Sequence, residues 1–244
     1  MPITIFPENI LESGTVTVTG DPDTGHPEER LFDRSINLKW KYTGTQATTF
    51  LVDYGSAVAI DTLFIAGHNF DGEDMQFQYS TDNFSADTND AVTDWTQSGN
   101  AQIEKEMSSS QTKRYWRVTV TSMTDPECCE VYISKGYDFT VAGEAEQAEA
   151  EQSNVERFES VGGMPRTIKY GDTRKLWEYT LVLSSATELA NWRTVITELD
   201  GLFKPVLIKD LDGNFYLMEL LEDPVLIRRP NDRATVTLRL LEIL

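Results

Sequence analysis

The sequence predicts a mainly β protein: a β-sandwich over residues 1–142, and a β-rich domain with one helix over 154–244. Three observations carry this. Short runs of alternating or β-branched residues, separated by turn clusters, fill the first 142 positions. One helical pattern with a capping box stands between Ser185 and Leu199. Between the halves, Gly143 to Ser153 reads GEAEQAEAEQS. It has no large apolar residue, so it is expected to be an exposed acidic linker.

The first run, Thr15 to Thr19, alternates and stops at Gly20-Asp21-Pro22-Asp23. Phe50 to Asp53 and Ile60 to Ala66 are apolar runs separated by Tyr54-Gly55-Ser56. Met75 to Tyr79 alternates strictly and ends at Ser80-Thr81-Asp82-Asn83. Tyr115 to Val120 is β-branched and aromatic, and Val131 to Ile133 follows the cysteines. Many short strands with turn signals between them suggest a sandwich or barrel.

The second half reads β-β-α-β-β-β-β. Trp177, Tyr179, Leu181 and Leu183 share one side of an extended strand. Ser185-Ala186-Thr187-Glu188 is the capping box, in which Ser and Glu satisfy free N–H groups. Leu189, Trp192, Ile196 and Leu199 follow at helical spacing, and Asp200-Gly201 supplies a stop. Strands at Pro205–Lys209 and Asn214–Leu221 flank Asp212-Gly213, a hairpin signal. Pro224–Arg228 and Ala234–Leu240 form a last pair around Pro230-Asn231-Asp232.

The chain carries 40 Asp and Glu against 21 Lys and Arg, a formal net charge of −19. Residues 1–142 hold 22 acidic and 9 basic side chains, the linker four Glu, and residues 154–244 hold 14 and 12. The acidity therefore sits on the sandwich and linker, and such a field repels phosphate backbones. Nucleic-acid binding is not expected. No stretch approaches the roughly 18 apolar residues of a membrane span, and Met1 to Ile10 lacks the pattern of a secretory signal. Synthesis in a cytoplasm, with no membrane insertion, is the expectation.

Cys128 and Cys129 are adjacent, which makes no disulfide framework, and with only His26 and His68 they make a poor zinc set. They are expected to be reduced thiols entering a strand. Catalytic constellations are absent: there is no serine elbow, no Walker A run and no dinucleotide fingerprint. His68, in Gly67-His68-Asn69, has no nearby nucleophile and is read as structural. Asp71, Glu73 and Asp74 lack calcium-loop spacing. No metal, cofactor or catalytic residue is expected, and the protein is read as a non-enzyme.

The order of landmarks in the first half carries a resemblance. Leu31-Phe32-Asp33 leads to Leu38-Lys39-Trp40, then to Phe50 to Gly55, Ile60 to Ile65 and His68. Arg114 to Val118 and Val131 to Gly136 follow near its end. Residues 10–137 thus resemble the discoidin, or galactose-binding-like, jelly roll. In that family an Asp loop precedes a buried Trp, a strand ends in Asp-Leu-Gly, and a late strand carries an aromatic between basic residues. Asp53-Tyr54-Gly55 stands where the Asp-Leu-Gly would be. The resemblance implies loops at one end that bind glycans or lipid headgroups, with Phe70 and Phe84 as candidate ligand-loop aromatics. Asp33 is expected to fix a turn.

The second half resembles phage tail and baseplate proteins of the tube and distal-tail kind. The match runs through Arg174 to Leu181, the following helix, Gly201 to Val206, Asp212-Gly213 and a terminal strand, Thr235 to Ile243. It implies a virion structural protein, made in the host cytoplasm, whose partners are other copies of itself and neighbouring tail proteins. The second domain would assemble an oligomer and the sandwich would face outward. Arg228, Arg229, Gly162, Gly163 and Met164 are the expected assembly residues. The alternative is a carbohydrate-binding adhesion module of the discoidin type, whose partner is a surface glycan.

Overall fold

The computed structural model describes residues 2–20, 22–142, 147–152, 155–159, 165–169, 173–199, 204–230 and 233–243. The protein is mainly β and divides into two compact units. One is continuous, Phe6–Gly136; the other combines Met1–Ile5 with Tyr137–Leu244. The sandwich is thus inserted after the fifth residue of the second unit. The division expected at 142 falls at 136, and the first strand, Ile3–Phe6, joins a sheet whose other strands come from the C-terminal half. Nothing local in four residues reveals which distant strand they pair with.

In the sandwich the two longest strands, Thr45–Ala66 and Ile103–Thr124, run antiparallel to each other. Their register breaks between Asp53 and Val58, where the chain opposite advances by only two residues, Tyr115 to Lys113. The Tyr54-Gly55-Ser56 cluster, expected to separate a pair of strands, is therefore a bulge within one. Gly55 takes the positive φ of 80° that the bulge needs. Arg114, opposite the extra residues, grips Asp53 with two hydrogen bonds of 2.7 Å and holds that carboxyl below its usual range. The bulge divides the labour. The first half of Thr45–Ala66 pairs with Thr15–Val18, while its end pairs with Glu130–Ser134. Asp74–Ser80 joins the far side of Ile103–Thr124 and carries the short strands Asn89–Asp90 and Trp95–Thr96. Phe50, Val52, Ile60, Leu63, Phe77, Trp40 and Trp116 meet in one core.

A buried polar cluster pins the start of this unit to its end. Asn9 caps the short helix Ile10–Ser13 by accepting from the Leu11 N–H, and its Oδ1 also accepts from the Ile133 N–H, each at 3.2 Å. Its Nδ2 donates to Glu130 Oε1 at 3.1 Å and to the Val131 carbonyl at 2.8 Å. Glu130 is fully buried and accepts from the Arg34 backbone N–H. Burial pushes its carboxyl well above the usual carboxylate range, and Asp33 adds to this. Arg34, in a left-handed conformation, donates to Glu12 and to the Pro7 carbonyl. Asp33 accepts from the Ser35 N–H, the turn expected of it.

In the second unit an eight-stranded sheet runs in the order Tyr137–Phe139, Ile3–Phe6, Val206–Lys209, Phe215–Leu220, Arg233–Glu242, Arg174–Leu183, Gln147–Gln152. Leu226–Arg229 also pairs with Arg233–Glu242. The helix Ala186–Glu198 starts as the capping box requires: Ser185 Oγ accepts from the Glu188 N–H at 3.1 Å. The Glu188 carboxylate reaches one residue further back than the ideal box and accepts from the Ser184 N–H at 2.7 Å. Trp192, Val195 and Leu199 are buried with Phe139, Tyr179 and Leu238, so the helix uses its stripe on its own unit's core. Asp200-Gly201, expected to stop it, lies outside the described residues. The hairpin at Asp212-Gly213 forms as expected, with Gly213 at φ 93° and Asp210 accepting from the Asp212 and Asn214 N–H groups.

The linker expectation is corrected. Gln147–Gln152 is a strand, antiparallel to Arg174–Leu183. Its residues are helix formers by propensity, but pairing with a strand already held in a core overrides that. The period-two alternation Gln-Ala-Glu-Ala-Glu-Gln was the signal for it. Residues 143–146 and 153 lie outside the described residues.

At one end of the sandwich the turns lock onto each other. Gly67, at φ 64°, lies so close to Cys129 that a Cβ would stand 2.3 Å from Sγ. Cys128 and Cys129 are buried and unbridged, and burial raises the Cys128 thiol well above its usual value. His68 is buried against Phe70, with ring centroids 5.0 Å apart. Its Nδ1 accepts from the Phe70 N–H at 3.1 Å, so Nε2 carries the proton and donates to the Ala101 carbonyl.

Asn9→Ala leaves buried partners unsatisfied and should lower the sandwich's stability by about 3 kcal/mol, read as a shifted urea midpoint. A loss below about 1 kcal/mol would show that the clamp stabilises little. Burial depresses the pKa of His68 below 6.5, so the unfolded chain takes up the proton first. Its contribution is complete above pH 6.5 and is lost as the pH falls below that value. His68→Gln should therefore show a shallower loss of stability than the parent as the pH falls below 6.5. Equal slopes would contradict it.

Candidate functional site

The two expected ligand aromatics are placed differently. Phe70 is fully buried in the sandwich core, a correction to its expected role. It follows Asn69 in a turn whose side chains all bind neighbouring backbone, which turns the ring inward. Phe84 is half-buried, and the Arg117 guanidinium lies 4.0 Å from its ring centroid. The loop that brings it there is built by Asp82, which accepts from the Ser85, Ala86 and Asp87 N–H groups. Asn83 and Phe84 take positive φ values of 59° and 58° as the chain reverses.

Of the expected assembly residues, Arg228 and Arg229 are exposed at the end of the strand Leu226–Arg229. Gly162, Gly163 and Met164 lie outside the described residues. Around the arginines, Leu221, Val225 and Ile227 are exposed.

The sandwich carries a pair of adjoining open depressions, of about 610 and 320 Å3, that share Asp94. Of their residues sequence reasoning singled out only Asp74, weighed as a cation ligand and not as part of a groove. They come from strands placed by pairing: Trp95–Thr96 lies beside Asp74 and Met75, and Asn89–Asp90 beside Gln78 and Tyr79. Four carboxylates line the groove: Asp74, Asp90, Asp94 and Glu106.

These groups are held in place. Gln76 Nε2 donates to Asp94 Oδ2 at 2.8 Å, and Thr96 Oγ1 donates to Asp74 Oδ1 at 2.5 Å. Trp95 is half-buried; its Nε1 donates to Gln97 Oε1 at 3.3 Å. The Lys105 ammonium stands 4.5 Å from the Trp95 ring centroid, and burial holds its pKa below the usual value. Asp90 accepts from Gln78 Nε2 at 2.7 Å, and Gln78 Oε1 in turn accepts from the Arg117 guanidinium at 2.9 and 2.7 Å. A continuous ladder thus runs from Phe84 through Arg117 and Gln78 to the groove. Fixed carboxylate and amide oxygens beside an indole can accept from hydroxyl or ammonium donors.

Among the described residues no three His, Cys, Asp or Glu side chains are grouped to hold a metal, and no helix is long and apolar enough to cross a membrane.

No family model and no curated protein matches the chain. Several solved structures are similar to about half of it. A chitosan-binding module from a chitosanase/glucanase of Paenibacillus sp. IK-5 is 19% identical, with a TM-score of 0.44 over 52% of this chain and 99% of that one. The family 32 carbohydrate-binding module of C. perfringens NanJ, solved with galactose, is 14% identical with a TM-score of 0.44, over 55% of this chain and 99% of the module. A Ruminococcus gnavus GH29 fucosidase, solved with fucose, is 17% identical with a TM-score of 0.47; the match covers 55% of this chain and only 28% of the fucosidase. None of these three is a tail or baseplate protein.

Proposed function

We propose that the protein is a non-catalytic carbohydrate-recognition protein, with the inserted sandwich as the recognising unit and the second unit as its attachment. The observation that carries this reading is the groove of Asp74, Gln76, Asp94 and Trp95. It offers several oriented hydrogen-bond acceptors and one half-buried aromatic in an open depression, a combination suited to a hydroxylated ring. Its charge selects among sugars. With Asp90 and Glu106 the rim is acidic, so neutral or amine-bearing sugars fit and sulfated or uronate sugars are repelled. The recognised ligand is then a neutral or cationic saccharide.

A second reading is a structural component of a phage or phage-like tail, with the sandwich displayed outward. It is favoured by the exposed Leu221, Val225 and Ile227, three large apolar residues within seven positions of the second unit, since exposed apolar surface can mark an interaction site. Electron microscopy of the concentrated full chain tests it: rings or tubes are expected, and a field of single particles would end it.

The first reading is checked by calorimetric titration of the full chain with neutral, amine-bearing and sulfated oligosaccharides. Binding should be confined to the first two classes. Asp94→Asn should weaken the amine-bearing ligand by about tenfold, as loss of one charge-assisted hydrogen bond implies. Preference for the sulfated class, or no binding of any class at millimolar ligand, would overturn the reading.

A further inference from the structure

Two strands of the second unit's sheet that are paired on one side only, among the described residues, differ in charge. Gln147–Gln152 pairs only with Arg174–Leu183, and Leu226–Arg229 only with Arg233–Glu242, among the described residues. An unpaired edge is a ready template for another strand. A portion of the sheet therefore reads, from edge to edge, Gln147–Gln152, Arg174–Leu183, Arg233–Glu242, Leu226–Arg229, with every pairing antiparallel. Four alternating strands leave the two outer ones running in opposite directions. A second copy placed beside the first in the same orientation thus continues the alternation unbroken.

The faces match as well. Cross-strand partners share a face of a sheet. Glu149 and Glu151 stand opposite Trp177 and Lys175, on the face that carries the core. Arg228 stands opposite the buried Ala234 on that same face. On the other face, Ile227 opposes Thr235, and Ala148 and Ala150 oppose Glu178 and Leu176. Joined edge to edge, one face sets Arg228 against Glu149 and Glu151, and the other sets Ile227 against the alanines. Ile227 is 51% exposed and Val225, just before the strand, 67%.

We propose that copies of this chain associate head to tail, the Leu226–Arg229 edge of one adding to the Gln147–Gln152 edge of the next. Such a contact is heterologous: each copy uses two different surfaces, so association continues into a ring or an open chain of copies. The inference does not depend on the carbohydrate groove, which lies in the other unit.

Sedimentation velocity of the full chain over a concentration series tests it, with Arg228→Glu and Glu151→Lys as variants. The parent should sediment well above the 27.6 kDa monomer and dissociate with added salt. Each variant alone should associate at least tenfold more weakly, with its circular dichroism and urea midpoint unchanged. An equimolar mixture of the two should recover association, because each restores an opposite-charge pair at every junction. A monomeric parent at all concentrations overturns the proposal. So does association that both variants retain, or a closed dimer whose mixture shows no recovery. Asp94→Asn should leave association untouched, which separates failure here from failure of the saccharide reading.

Discussion

The architecture depends on one constraint: the chain must leave the second unit and return to it at neighbouring points. Ile3 pairs with Phe139 and Ile5 with Tyr137, so the strands that precede and follow the sandwich lie side by side. Closing a loop of this length in an unfolded chain costs about 4 kcal/mol beyond a constant. The folded sandwich removes much of that cost by holding its own ends together. Tyr132 donates to the Phe6 carbonyl at 2.7 Å, and Asn9 binds the Glu130–Ser134 strand through both ends of its amide. The buried Asn9 and Glu130 are thus more than a desolvation burden. They fix the register between the first and last segments of the unit, where an apolar pair would permit slippage.

The same reuse of a few polar groups shapes the outer face of the sandwich sheet. Arg117 faces away from the core, between Trp116 and Val118, which are buried. Its guanidinium is used twice, by the Phe84 ring on one side and by Gln78 on the other. Gln78 then orients Asp90 at the groove. The Phe84 ring lies against that cation, and the polar groups behind it lead to the groove. The chain's acidity, concentrated in the first half, becomes local here: four carboxylates along two adjoining depressions, with the partly buried Lys105 over Trp95.

In the second unit the helix and the sheet edges have opposite fates. The helix covers its apolar stripe within its own unit, with Trp192 edge-on to Phe139 at 5.9 Å. Among the described residues Gln147–Gln152 and Leu226–Arg229 each pair on one side only, the first acidic and the second basic. Lysine, proline and charge commonly blunt an exposed edge. Here Arg228 and Arg229 supply that charge, and the exposed Ile227 and Val225 sit beside them.

The sequence by itself determined the β class, the alternating runs at 15–19 and 75–79, the capped helix and the Asp212-Gly213 hairpin. Each rests on a short-range signal: period-two alternation, an N-cap with its carboxylate, or a residue free to take positive φ. Tertiary structure alone decided that Ile3–Phe6 belongs with strands more than 130 residues away, and that the Tyr54-Gly55-Ser56 turn signal bends one strand instead of ending it. It also decided that Gln147–Gln152 extends a sheet, because helix propensity yields to a strand already anchored by Trp177 and Tyr179. The groove was illegible for the same reason. Asp90, Asp94 and Trp95 carry no local signal, and line a groove with Asp74 only when pairing of short strands with Asp74–Ser80 sets them side by side. Local periodicity specifies which face a residue takes; which faces meet is set by long-range pairing and burial, which no window of sequence contains.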